Sequence, residues 1–373
     1  MLIGLLLASS MGAAAQGAET FTVATLNVDG LPQKILVFNV NADGPGSAGS
    51  VRIGKYLMKK NYDLMLLQED FNYHHEMMPL LEDDYQFDVW GGDVGIDGHT
   101  IDYMHLQNHR FETDGLMAVI KKGITLTGTT KETWTDGFGK FSHALDMMVT
   151  KGFRRYEVTL ASGIEIVVYN MHMDAEDNDD TKAGKALNDR KARENQWKQL
   201  AEHILANMDK RPVVVVGDMN SFYFRDRVEE LFVNTINESG KGTVVDAWVH
   251  LKNNDIYPTY VENSDISDDE EEKLGGESLD KILCVNPTDG QQLRPIAYSV
   301  DKEGYQYEGK VLGDHYPVAV TFEVVGSTGI HELKNGKMEA LKYYDLQGHP
   351  VDQPSKGVYI QRNERETNKI IIK

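Results

Sequence analysis

The sequence predicts an α/β fold over residues 20–325, a two-layer β-sandwich flanked by helices, followed by a small C-terminal β module over residues 327–373. Three observations carry this expectation. Short unbroken apolar runs, such as Leu64–Leu67 and Val213–Val216, read as strands buried on both faces. These runs alternate with segments whose apolar residues recur at helical spacing, the pattern of helices layered on sheets. Strand after strand also ends abruptly in a polar group, as expected where several strands deliver side chains to one edge.

The elements follow in order. "TFTVATLNVDG" alternates and stops at Asn27 and Gly30. "SVRIGKYLMKKNYD" has helical spacing, and "DLMLLQED" is a buried strand ending at Gln68 and Glu69. "GLMAVIKKG" is a strand and "RRYEVTLASGIEIVVYNMHMD" a hairpin. "RKARENQWKQLAEHILANM" is an amphipathic helix, halted by Arg211-Pro212 before the Val strand. "RDRVEELFVNTI" is a further helix, and "SLDKILCVN" and "HYPVAVTFEVV" are late strands. Gly91 to Phe111 reads as a long polar loop over a site, and "DISDDEEEKLGG" as a solvated acidic loop. The tail, with "LQGHP" and "QPSKG" as turns, reads as the small β module.

The chain has 373 residues, 41% of them hydrophobic, enough for a sizeable core. Its formal charge is −20, from 58 acidic and 38 basic side chains, which disfavours a long polyanion as partner. Cys284 is the only cysteine, so no disulfide forms within the chain. "MLIGLLLASSMGAAAQ" reads as a signal peptide over residues 1–15, with small residues before Gln16, although no Lys or Arg precedes its apolar run. The expectation is an exported protein: periplasmic, at the cell surface or secreted.

The polar strand ends form a coherent set. Asn27 and Glu69 are oxygen ligands of the kind Mg²⁺ favours, with Mn²⁺ or Ca²⁺ as alternatives. Asp218 and Asn220 lie two apart and point to one side of an extended chain. His172, with Asn170 two residues before it, follows an apolar run. Asp280 precedes "KILCV", and Asp314-His315 opens the last strand of the core. Either Asp280 or Asp314 is a candidate to orient His315 as a general base. Asp218 is the candidate to position water, Asn220 and Asn170 to contact substrate, and His172 to stabilise developing charge. "NYHHEMM" (Asn72–Met78) resembles a metal cluster, but adjacent histidines point apart, so they read as surface or helix-start residues.

Taken together, "TLNVDGLP", "LLQED", "YNMHMD", "VVVVGDMNS", "SLDKIL" and "LGDHYPVAV" resemble, in order and spacing, the endonuclease/exonuclease/phosphatase superfamily. The resemblance spans roughly Thr20 to Val325 and implies a deoxyribonuclease-like fold and a metal-dependent phosphoric ester hydrolase. It implies Asn27 and Glu69 as metal ligands and Asp218 and Asn220 as the water-positioning pair. His172 and His315 match the two histidines, Asp280 the acid beside the second, and Asp314 an acid that touches a second ion in some members. "NVDGLP", "YNMHMDAE" and "YPTYVENS" look like the secreted neutral sphingomyelinase branch. The tail resembles C-terminal modules of exported Bacteroidetes proteins, some of which are sorting signals for an export machinery.

The expected function is therefore an exported Mg²⁺-dependent phosphodiesterase acting on a phospholipid headgroup, with peripheral membrane contact. A nuclease of the same fold and a catalytically silent binding module are the alternatives. The acidic "SDISDDEEE" leading toward Asp280 favours a zwitterionic headgroup over DNA.

Overall fold

A computed structural model describes residues 19–35, 38–39, 41–90, 106–107, 110–111, 113–137, 149–176, 183–259, 279–326, 342–344, 350–351, 357–362 and 367–372. The predicted signal peptide, most of the Gly91–Phe111 loop and the acidic run lie outside the described residues.

The first half of the large unit supplies strands β1 (Thr20–Asn27), β2 (Leu64–Gln68), β3 (Tyr85–Phe87), β4 (Met117–Lys121), β5 (Thr125–Thr133) and β6 (Gly152–Thr159). The second half supplies β7 (Glu165–His172), β8 (Val213–Asp218), β9 (Gly242–Asp246), β10 (Asp280–Pro287), β11 (Gln292–Val300) and β12 (Val318–Val325). They form two six-stranded sheets, ordered β11-β12-β1-β2-β4-β3 and β9-β10-β8-β7-β6-β5.

Each sheet is antiparallel except for one central parallel pair. β1 runs parallel to β2, in register from Val23 opposite Leu64 to Asn27 opposite Gln68. β7 runs parallel to β8, from Val167 opposite Val213 to His172 opposite Asp218. A parallel pair cannot close with a tight turn, so each needs a crossover. Helix α1 (Gly46–Lys60) serves the first and α2 (Ala183–Asn207) the second. α1 buries Ile53, Tyr56 and Leu57 at helical spacing and ends at Asn61, whose left-handed backbone (φ 56°) caps the last turn. α2 turns Trp197, Leu200, Ala201 and Ile204 inward, and the Trp197 indole N–H donates to Ser221 Oγ at 2.8 Å.

The two-residue period of the strands explains their unbroken apolar runs. Val23, Leu64, Leu66, Ala118 and Ile120 pack into the cluster shared with the second sheet, alongside Val214, Val216 and Ile282. Their alternates Ala24, Leu26, Met65, Leu67, Met117 and Val119 pack with Ile53 and Leu57 of α1. Both faces are buried, so both phases of the alternation must be apolar.

Near the carboxyl ends of the parallel pairs the layer between the sheets turns polar. Thr25 Oγ1 donates to Gln68 Oε1 at 3.0 Å, and Gln68 Nε2 donates to Asn170 Oδ1 at 2.7 Å. Asn170 Nδ2 in turn donates to the carbonyls of Leu67 (3.0 Å) and Met117 (3.2 Å). Asn170, expected to touch substrate, is fully buried. Its amide is spent tying β7 to the last paired residues of β2 and β4.

Residues Ser327–Lys373 form a separate compact unit. Its described residues form four antiparallel strands in the order Pro350–Val351, Lys342–Tyr344, Gly357–Arg362, Thr367–Ile372, in keeping with a small β module. Among the described residues no helix is long and apolar enough to cross a membrane.

Replacing Asn170 by alanine removes the side-chain donor from two buried carbonyls and the acceptor from one Gln68 amide N–H. Asn170→Ala is expected to lower folding stability by about 3 kcal/mol, read as a fall in the denaturant midpoint at unchanged slope.

Candidate active site

The Val strand breaks at Gly217 for a steric reason. Gly217 sits opposite Met171 with φ 152°, and a Cβ there would stand 2.1 Å from the Met171 carbonyl oxygen. Only glycine lets β7 and β8 stay paired to their ends. The next rung aligns His172, Asp218 and Asp280 on three adjacent strands. Asp218 Oδ1 then accepts the Asn220 backbone N–H at 3.0 Å, closing a turn in which Asn220 takes a left-handed backbone (φ 46°) that asparagine tolerates. Asn220 Nδ2 donates to the Met173 carbonyl at 3.3 Å.

The other sheet contributes Asn27 and Glu69. Asn27 Nδ2 donates to Glu69 Oε1 (2.9 Å) and, across the sandwich, to Asp218 Oδ2 (3.0 Å). Its Oδ1 accepts the Asp29 backbone N–H at 2.9 Å. In this orientation Asn27 braces two carboxylates; to serve as the expected metal ligand it would have to turn its amide over. Glu69 itself is left-handed (φ 55°), and a Cβ on Gly30 would lie 2.2 Å from its carbonyl.

Asp218 Oδ2 is the common point of the arrangement. His172 Nε2 stands 3.4 Å from it and His315 Nε2 3.6 Å. His172 Nε2 is also 3.9 Å from Glu69 Oε1. His315 Nδ1 is held by Asp280 Oδ2 at 2.7 Å, while Asp314 is exposed and no nearer than 4.0 Å to His315 Nε2. Of the two acids that the sequence offered for His315, Asp280 is the one that orients it.

The local field separates the titratable groups. Burial, then the nearby Lys151 charge, pushes His172 down to about 3, so it is neutral near pH 7. Burial and the Asp314 charge push Glu69 up to about 7, and burial, Asp314 and Glu69 push Asp29 up to about 8. Crowded carboxylates of this kind fit a hard divalent cation, which would relieve their repulsion. Asp218, Asp280 and His315 also offer ligand atoms within 4.8 Å of one another, although the Asp280 hydrogen bond occupies His315 Nδ1.

Two residues of the site escaped the sequence reading. Asp29 lies inside the quoted "NVDGLP", two residues after Asn27, and that period was its available signal. Lys151 is a buried lysine whose Nζ donates to the Met173 carbonyl at 3.2 Å, the same oxygen that Asn220 Nδ2 uses. Nothing in its flanking sequence marks it.

No family model matches the chain. Among curated proteins, sphingomyelinases of Mycobacterium bovis and Mycobacterium tuberculosis are each 26% identical over 179 residues. That alignment takes 48% of this chain and 32% of theirs, so the chain spans about a third of the length of these relatives. Among solved structures, TDP2 from D. rerio, complexed with single strand DNA product, is 14% identical with a TM-score of 0.52, covering 82% of this chain and 99% of that one. An endonuclease/exonuclease/phosphatase family protein from Bacteroides thetaiotaomicron is 15% identical with a TM-score of 0.52, covering 83% and 99%. The fold is that of the endonuclease/exonuclease/phosphatase proteins, as the order of the motifs predicts.

The neutral His172 has a consequence for stability. Between pH 6.5 and about 3 the unfolded imidazole binds a proton that the folded one does not, so acidification through this window destabilises the fold through His172. The raised Glu69 and Asp29 act with the opposite sign. His172→Gln should therefore shallow the acid-side loss of stability, measured as denaturant midpoint against pH; an unchanged slope would exclude a neutral buried imidazole.

Proposed function

We propose, from this fold and this convergence of groups, that the chain is a metal-dependent phosphodiesterase acting on a phospholipid headgroup ester, with sphingomyelin as the favoured substrate. The observation that carries the reading is the Asp280–His315 pair, whose imidazole Nε2 lies 3.6 Å from Asp218 beside the crowded acids of Glu69 and Asp314. A carboxylate on Nδ1 fixes the tautomer that leaves Nε2 basic. His315 Nε2 then takes a proton from water as the water oxygen attacks phosphorus and the P–O bond to the lipid alcohol breaks, the departing alkoxide taking up a proton from solvent. Asp218, 3.6 Å away, orients the attacking water. Asn220 and neutral His172 offer hydrogen bonds to the phosphoryl oxygens as charge grows on them. A divalent cation held by Glu69 and Asp314, with Mg²⁺ favoured, supplies Lewis-acid neutralisation of the phosphate when bound.

The choice of a lipid headgroup rests on the sphingomyelinase relatives, on the net charge of −20 and on the acidic run before Asp280. A zwitterionic headgroup brings one phosphate and a compensating cation, whereas a duplex brings a phosphate every ~1.7 Å. The second reading, a nuclease, is favoured by the D. rerio structure with its DNA product. Export is proposed on the reading of residues 1–15 as a signal peptide, and the tail is proposed as a sorting module.

Parallel assays on sphingomyelin vesicles and on plasmid DNA at low salt, with Mg²⁺ and with EDTA, test the substrate. Phosphocholine release that stops with EDTA is expected; faster DNA cleavage with no phosphocholine would select the nuclease, and no hydrolysis of either would favour a silent module. His315→Ala is expected to lower kcat by about 10²–10⁴-fold while the fold stays intact. Near-normal turnover in that variant would assign the base elsewhere.

A further inference from the structure

Glu69 holds an unusual conformation for a non-glycine residue, and its neighbours explain how it does so. With φ 55° it lies in the left-handed region, which persists only where the surroundings over-determine it. On its amino side it continues β2. On its carboxyl side Phe71 N–H returns to the Glu69 carbonyl at 2.7 Å, a tight reversal that needs a fixed anchor beyond it.

That anchor is Asp70, fully buried, with both backbone groups and one carboxylate oxygen, Oδ2, engaged. Its N–H donates to the Gly115 carbonyl at 2.9 Å, and its carbonyl accepts the Trp90 indole N–H at 2.8 Å. Its Oδ2 meets His74 Nδ1 at 2.6 Å. The Trp90 ring stacks on His74, with centroids 4.5 Å apart and planes 11° off parallel, and His75 meets Trp90 edge-on at 5.0 Å. The indole thus both holds the Asp70 carbonyl and pins the imidazole that holds the Asp70 carboxylate. An ordinary helix cap does not account for this. The short helix His74–Met77 begins after Tyr73, and no side chain caps it.

We infer that Asp70, His74 and Trp90 are positioning residues that hold the Glu69 carboxylate in place for the cation, acting through the backbone of residues 69–71 rather than by touching the ion. The inference rests on the proposed role of Glu69 as a metal ligand. It gives the "NYHHEMM" histidines a task other than ligation: His74 orients the residue next to a ligand. Partners of this kind set metal affinity by limiting where a ligand can point.

Calorimetric titration of Mg²⁺ into the full chain tests this without recourse to turnover. His74→Ala removes the Asp70 partner and is expected to weaken Mg²⁺ binding by about 10–100-fold, with the thermal midpoint near wild type. His74→Gln keeps an amide donor and should stay within about threefold of wild type. Trp90→Phe keeps the ring, loses the N–H and should fall between them; it also stands in should His74→Ala fold poorly. At saturating Mg²⁺ the kcat of all three should return toward wild type. The clamp is wrong if His74→Ala and Trp90→Phe bind Mg²⁺ as wild type does while Glu69→Gln has lost it. If Glu69→Gln also binds normally, the ligand role of Glu69 fails first and the clamp with it.

Discussion

The close approach of β7 and β8 at Met171 and Gly217 is the constraint on which the site depends. A parallel pair held together to its last rung brings His172 and Asp218 level, and the antiparallel partner β10 then adds Asp280 on the same rung. A side chain at position 217 would wedge the two strands apart by its contact with the Met171 carbonyl, and the three groups would lose their common level. His315 depends on Asp280 for its orientation, and Asn27 reaches Asp218 across the sandwich. A backbone packing requirement inside one sheet thereby fixes the chemistry between two sheets.

The polar layer beneath the site extends this logic. Thr25, Gln68 and Asn170 follow the same inward phase as the core residues; Thr25 and Asn170 lie two residues before Asn27 and His172, and Gln68 stands opposite Asn27. Gln68 satisfies the Leu66 carbonyl, Asn170 those of Leu67 and Met117, and Thr25 the Gln68 side-chain oxygen. A buried amide with every donor and acceptor used is a stiff joint, because any displacement leaves a desolvated polar group.

The central strands were legible in the sequence because burial on both faces demands unbroken apolar runs, as in Leu64–Leu67 and Val213–Val216. The edge strands were not. Thr125–Thr133 is mostly exposed and rich in threonine, so it carries no apolar run. Gln292–Val300 contains Pro295 at an irregularity in its pairing, which sequence reading takes as a break. At the site, residues that end apolar runs were found, and depth was the missing coordinate. Asn170 and His172 share a phase and stand two residues apart, yet one ties the sheets together and the other faces Asp218. Lys151 was invisible because a lone lysine is almost always solvated, and only its burial against Met173 sets it apart.

The meeting of so many groups on one oxygen of Asp218 bears on how substitutions combine. Asn27, His172 and His315 all lie within 3.6 Å of that atom, and Glu69 shares both Asn27 and His172 with it. Side chains that share one acceptor are coupled, because moving any one of them changes what the others can reach. Their effects therefore do not add as independent contributions, and the cluster behaves as a single unit of structure.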